Sequence, residues 1–362
     1  MTSLSDLPIR DDLRGLKPYG APTDPVSIQL NVNENTHPIP EAVATDIVMA
    51  LARAVMTANR YPDREFTELR EALAQYLGLG LTADNIWAAN GSNEVLQQTL
   101  QAFGGPGRRV LGFPPTYSMH SIIASGTGTE WVTSARDADY DLTPETVVTA
   151  IAEYSPDVVF LCSPNNPTGT PVSNETISAA YEATDGIVLV DEAYAEFSDR
   201  ESALSLLDGR PRLIVSRTMS KAFAFAGARV GYLAADPAIA DALRLVRLPY
   251  HLSALTQAAA VAALAHAPEM LAMVDEIKTQ RDRMSAGLQA LGFTPVPSEA
   301  NFVLFGNVAD PQALFNKLLI QDILIRDVGI PNHLRVTAGT ESETTVFLEA
   351  MADLQALGRV AQ

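Results

Sequence analysis

Cysteine is almost missing from this chain: Cys162 is the only one in 362 residues, so no intrachain disulfide can form, which suits a reducing cytoplasm. Cations are scarce as well, 25 lysines and arginines against 43 acids for a net charge of -18. That balance argues against general affinity for nucleic acid or anionic membranes and leaves any anionic ligand to local cations. No uncharged apolar run reaches the roughly 18 residues of a membrane span. The nearest approach, "LTQAAAVAALAHAPEM", reads as one buried helix. The histidines, at 37, 120, 251, 266 and 333, lack the short spacing that lets two share a metal, so no metal is expected and most of them read as surface or packing residues. "MTSLSDLPIRDDLRG" has acids where a secretory leader has a basic start and an apolar block. The expectation is a cytoplasmic protein with neither a membrane nor a nucleic-acid partner.

What is present falls into three parts. Residues 1–35, rich in proline, aspartate and asparagine, read as an extended arm. In residues 36–245, apolar residues at 43, 47, 51 and 54 or 55, and again at 66, 69, 73 and 76 or 77, predict two amphipathic helices. Short apolar runs follow, separated by helical segments: "RRVLGF", "DVVFLC", "GIVLVD", "RLIVS" and "ARVGYLAA". Their unbroken apolarity predicts strands covered on both faces, an α/β body with a mostly parallel sheet flanked by helices. Residues 246–362 mix long helices with "NFVLF", "ILIRDVG" and "HLRVTAG", the pattern of a smaller α+β domain.

Polar residues collect where these strands end. "DVVFLC" runs into "SPNNPTG", "GIVLV" into "DEAYAEF" and "RLIVS" into "RTMSK", and ligands of open parallel sheets bind beyond the carboxyl ends of strands. Asp191 follows four apolar residues, so its carboxylate needs a partner. Ser92 and Asn93 open a helix after Gly91 and offer an anion its exposed amides, while Thr218, Ser220 and Arg229 add donors. Each stretch alone has a plainer reading: a turn, a salt bridge, a capped helix. Lys221 is the odd residue, an amine among alanines and aromatics in "MSKAFAFAGARVGY". Desolvation makes such a lysine lose its proton more readily and become nucleophilic. A reactive lysine, a buried acid and a phosphate cradle are the parts that pyridoxal 5'-phosphate requires.

Ten stretches in order, "LNVNENTHPIP", "NRYPD", "GSNE", "PTYSMH", "CSPNNPTG", "VDEAYAEF", "RTMSKAFAFAGARVGY", "ANFVLF", "ILIRDVG" and "LRVTAGT", resemble the histidinol-phosphate aminotransferase family of the fold type I aminotransferases over nearly the whole chain. The resemblance implies that Lys221 anchors the cofactor and then shuttles the substrate proton. It implies Asp191 on the pyridine nitrogen, Asn166 and Tyr194 on the ring hydroxyl, and Tyr117 stacked on the ring. The phosphate falls to Ser92, Asn93, Thr218, Ser220 and Arg229, with Tyr61 reaching across to the neighbouring subunit's cofactor in a homodimer with shared sites. Arg335 grips the substrate's anionic group with help from Arg326, and Asn33 and Tyr19 close over the substrate. Met219 and Ala224 depart from the family's leucine and frequent glycine, changes expected to alter packing rather than chemistry.

The implied reaction moves an amino group from L-histidinol phosphate to 2-oxoglutarate, in histidine synthesis. An aromatic amino acid aminotransferase of the same family is the alternative, since an arginine that accepts a phosphate also accepts a carboxylate. A distant one is an NAD-dependent oxidoreductase, prompted by the glycines of "FGGPGRRVLGF", which stand before their strand, the wrong order for a pyrophosphate loop.

Overall fold

A computed structural model describes residues 3, 6–15 and 20–356. After a short β1 (Ile28–Gln29), the two helices expected from periodicity form as α1 (Glu41–Val55) and α2 (Thr67–Leu77), burying Val43 and Ile47 on one and Leu69 and Leu73 on the other. Then come β2 (Ile86–Ala89), α3 (Ser92–Phe103), β3 (Arg109–Gly112), α4 (Met119–Thr127), β4 (Glu130–Thr133), α5 (Pro144–Tyr154), β5 (Val158–Cys162), α6 (Asn174–Ala183), β6 (Ile187–Asp191), β7 (Leu213–Thr218), β8 (Gly231–Ala235) and α7 (Pro237–Val246). The seven strands β2 to β8 make one sheet in the order β2-β8-β7-β6-β5-β3-β4, in which only β8 runs against the rest. Every residue of β5, β6, β7 and β8 is buried, as unbroken apolar strands require.

The chain continues with α8 (Ala254–Leu264), α9 (Ala267–Ala290), β9 (Thr294–Pro295), β10 (Phe302–Gly306), α10 (Pro311–Ile320), β11 (Ile323–Leu324), β12 (Leu334–Thr337) and α11 (Glu341–Ala356). The alanine-rich run expected to be one helix is two, α8 and α9, bent by 75°. Pro268 is the cause: it has no N–H to give and sits in the first turn of α9, where a helix tolerates it. No single helix among the described residues is long and apolar enough to cross a membrane.

Two apolar cores organise the packing. The larger surrounds the seven-stranded sheet and takes in α8 and the first half of α9, through Met270, Val274 and Ile277. The smaller begins at Met284, in the second half of α9, and gathers β10, β12, α10 and α11. The core therefore changes inside α9, two helices later than residue 245. Leu30 belongs to the smaller core, and β1 pairs in parallel with β11. Further back, the Arg10 guanidinium donates to the carbonyls of Ser125 and Gly126 at the end of α4, 3.2 Å each, so the described arm touches both bodies.

Candidate active site

Cα pairing sets Cys162 beside Asp191 and Asp191 beside Ser216, so β5, β6 and β7 end level with one another. Their carboxyl ends open on a cavity of about 350 Å³. Asn166, Asp191, Tyr194, Thr218, Ser220 and Lys221 reach it from the strand ends. Ser92 and Asn93 come from α3, Tyr117 from the segment after β3, Arg229 from before β8, and Asn33 and Arg335 from the arm and β12.

The floor is Asp191, 1% exposed. Its Oδ1 accepts from Ser216 Oγ at 3.1 Å and its Oδ2 lies 3.2 Å from His120 Nε2. His120 is as deeply buried, its Nδ1 has no partner, and its ring meets Tyr117 edge-on at 5.5 Å. It is thus part of the site and not a surface or merely packing histidine as expected. In sequence it is marked only by "PTYSMH", which puts His120 in the first turn of α4, three residues past Tyr117.

One wall is a chain of hydrogen bonds. The Tyr194 hydroxyl accepts from Asn33 Nδ2 at 2.9 Å and Asn166 Nδ2 at 3.2 Å, leaving its own hydrogen to donate. Loss of water pushes this phenol up to about 12, against the pull of Arg335 and the Asn33 hydrogen bond, so it keeps its proton at neutral pH. Asn166 Oδ1 accepts from Arg335 at 2.6 Å, and the other terminal nitrogen of Arg335 donates to the Asn31 carbonyl at 2.8 Å.

The opposite end suits an anion. Ser92 and Asn93 open α3, and the Tyr117 hydroxyl donates to Asn93 Oδ1 at 3.2 Å. Thr218 Oγ1 donates to Ser220 Oγ at 3.0 Å, and Arg229 reaches the same Oγ at 3.4 Å. Closeness here depends on glycine. A Cβ on Gly231 would lie 2.1 Å from the Ser92 nitrogen, and one on Gly91, where φ is +87°, 2.2 Å from an Arg229 nitrogen.

Lys221 faces this cradle three residues beyond β7, its Nζ donating to the Val32 carbonyl at 3.1 Å. Its pKa is lowered to about 8, first by lost hydration and then by Arg335 and Arg229, with Glu34 opposing. Arg229, by contrast, is exposed at the rim in the single chain. Cys162 also lines the cavity, but burial pushes its thiol up to about 12, which rules it out as a nucleophile at neutral pH.

Two expected residues do not line the cavity. Tyr61 is 80% exposed and stacked on Tyr250, with ring centroids 4.5 Å apart. Arg326 turns to the arm, donating to the Gly20 carbonyl at 3.3 Å. Tyr19 lies outside the described residues. Glu34, Val32 and Ala193, by contrast, line the cavity without having been expected. The glycines of "FGGPG" connect α3 to β3 and are nowhere near a strand's carboxyl end.

A reactive lysine and a buried carboxylate at the ends of parallel strands, with an anion cradle beside them, define a fold type I transferase site. Residues 25–351 match the model of the aminotransferase class I and II family, and the chain belongs to that family. It is 61% identical over 356 residues to the histidinol-phosphate aminotransferase of Paenarthrobacter aurescens (strain TC1), covering 97% of this chain and 96% of that one. To the enzyme of that name from Thermobifida fusca (strain YX) it is 57% identical over 359 residues, 99% of this chain and 97% of that one. Among solved structures, histidinol-phosphate aminotransferase from Sinorhizobium meliloti in complex with pyridoxal-5'-phosphate superposes with a TM-score of 0.86 at 25% identity, covering 97% and 98% of the two chains.

Proposed function

We propose that this chain transfers the amino group of L-histidinol phosphate to 2-oxoglutarate, giving imidazole acetol phosphate and L-glutamate in histidine synthesis. It is an aminotransferase that uses pyridoxal 5'-phosphate, and both substrates are small molecules, an amino donor and a 2-oxo acid. When bound, that cofactor supplies an electron sink beside the amine, which makes the neighbouring C–H acidic.

The residues present fit the group. The buried Asp191 carboxylate, with Ser216 on one oxygen and His120 on the other, is oriented to keep a ring nitrogen protonated. Ser92, Asn93, Thr218, Ser220 and Arg229 would hold the phosphate, and no Cβ could stand at Gly231 without pressing on the backbone that opens that cradle. Tyr194, whose hydrogen is free to donate, would serve the ring hydroxyl with Asn166, and Tyr117, on the same cavity, would stack on the ring.

Lys221 Nζ would be the base: with its pKa lowered to about 8, part of it is neutral at physiological pH, able to take the proton from the amino donor's carbon in one half of the transfer and to supply one to the carbon of the 2-oxo acid in the other. Arg335, 7% exposed, offers a guanidinium to the substrate's phosphate or to the carboxylate of glutamate. Arg326 and Tyr19 are proposed to assist at the substrate, and Asn33 is fixed by Thr337 and Tyr194.

The observation that carries this reading is that Lys221, Asp191 and Arg335, distant in sequence, line one cavity. An aromatic amino acid aminotransferase is the second reading, because Arg335 would serve either anion. A panel of amino donors separates them. Turnover of histidinol phosphate well above that of phenylalanine is expected, and efficient use of phenylalanine with none of histidinol phosphate would overturn the choice.

We also propose a cytoplasmic homodimer in which Tyr61 completes the partner's phosphate site. In support, Tyr61 is exposed, and so are Val48, Met49 and Val55 on α1, Met56 at its end, and Leu245 and Leu248 at the end of α7.

A further inference from the structure

Behind the cavity lies a second charged cluster that the reaction does not touch. Side chains alternate along β7, so Ser216 bonds Asp191 and Thr218 lines the cavity while Arg217 between them points to the other face. The Arg217 guanidinium donates to Glu192 Oε2 from two nitrogens, at 3.1 and 2.9 Å, to Glu196 Oε1 at 3.4 Å and to Ser202 Oγ at 2.9 Å. Glu192 also accepts from the Ser202 hydroxyl at 2.6 Å and the Ala203 N–H at 2.7 Å, and Glu196 from the Tyr76 hydroxyl of α2 at 3.4 Å. The three charged side chains are only 10%, 5% and 6% exposed.

A buried ion pair is poor ground for stability, because desolvation offsets most of the attraction. Here one guanidinium faces two carboxylates, and Glu196 Oε2 has no partner. Apolar residues would fill this space with less cost. The cluster's value lies in its neighbours: Glu192 follows Asp191, Glu196 stands two beyond Tyr194, and Arg217 precedes Thr218, four before Lys221.

We propose that the Glu192–Arg217–Glu196 cluster is a positioning device that pins the carboxyl ends of β6 and β7 from behind and so fixes Asp191 against Ser216, Thr218 and Lys221. This rests on the cavity being the cofactor site. Removing the cluster lets the two strand ends drift, and misplacement by a fraction of an ångström weakens what the cavity holds.

Arg217→Met alone strands two buried carboxylates and risks unfolding, so the test uses Arg217→Met/Glu192→Gln beside Arg217→Lys. Each is titrated with pyridoxal phosphate by visible absorbance, with the pH midpoint of the visible band and the Tm recorded. The double variant strands only Glu196, so it should melt below wild type yet remain folded at the temperature of the titration, and bind cofactor about tenfold to a hundredfold more weakly, with a displaced midpoint. Arg217→Lys, which keeps the charge but loses the two-nitrogen grip, should fall between. Wild-type affinity and midpoint in a folded double variant would overturn the proposal. Should that variant not fold, the same two values unchanged in Arg217→Lys would do so. A wild-type chain that gives no visible band with the cofactor would sink the cofactor reading instead.

Discussion

Lys221 carries a cost that the rest of the site explains. Its pKa lies near 8 in the folded chain against 10.5 when solvated, so below about pH 8 the ammonium is charged in both states and the folded state bears the full desolvation. That cost fades as pH rises from 8 to 10.5. Lys221→Met without cofactor should therefore raise Tm near neutral pH, with a gain that shrinks by pH 10; calorimetry across that range checks it. Ala224 is a second costly residue. It closes the turn begun at Lys221 with φ at +50°, which gives the family's frequent glycine a backbone reason rather than the packing one expected from sequence. Ala224→Gly should stabilise by about 0.5–1 kcal/mol in denaturant unfolding, the left-handed penalty outweighing glycine's extra entropy. Lys221 and Asp191 were legible because each is a charge where apolar neighbours make it conspicuous. His120 was not, since its partner is 71 residues away and the two meet only where α4 packs over the end of β6.

At the scale of elements, strands buried on both faces announce themselves as unbroken apolar runs, and β3, β5, β6, β7 and β8 were all readable. The edge strand β4, "EWVT", was not, because its residues are half-buried or exposed and carry no such run. Nor was the pairing of Arg217 with Glu192, since a strand covered on both sides hides which way each side chain points. "ILIRDVG" yields only β11 and an isolated bridge from Arg326 to Arg335. The meeting of β8 with the start of α3 is a close backbone-to-backbone contact between elements. Gly231→Ala would press a methyl onto the Ser92 amide, which should cost about 1–3 kcal/mol and weaken cofactor binding more than it weakens the fold. Unfolding and absorbance titration of the same preparation separate the two effects.

For the whole molecule, a break at residue 245 follows composition, since strand-like runs stop there. Packing puts the change of core within α9, because α8 lies on α1 and α2 and belongs to the first body. A helix shared by two cores leaves no mark in a sequence. The proposed shared sites make a further prediction. Tyr61→Ala should fold normally, its ring being exposed, but hold cofactor less firmly. Mixing Tyr61→Ala chains with Lys221→Ala chains should restore activity, since hybrid dimers would contain one site with both residues intact; no gain on mixing would contradict a shared site.

The central claim is that one particular amine does the chemistry, and the chain has just four lysines, at 17, 221, 278 and 317. Lys278 is engaged with Asp199 at 2.5 Å, away from the cavity. Borohydride reduction of the cofactor-loaded enzyme, followed by peptide mass mapping, should find the cofactor fixed to Lys221. Attachment to any other lysine, or to none, would contradict the account.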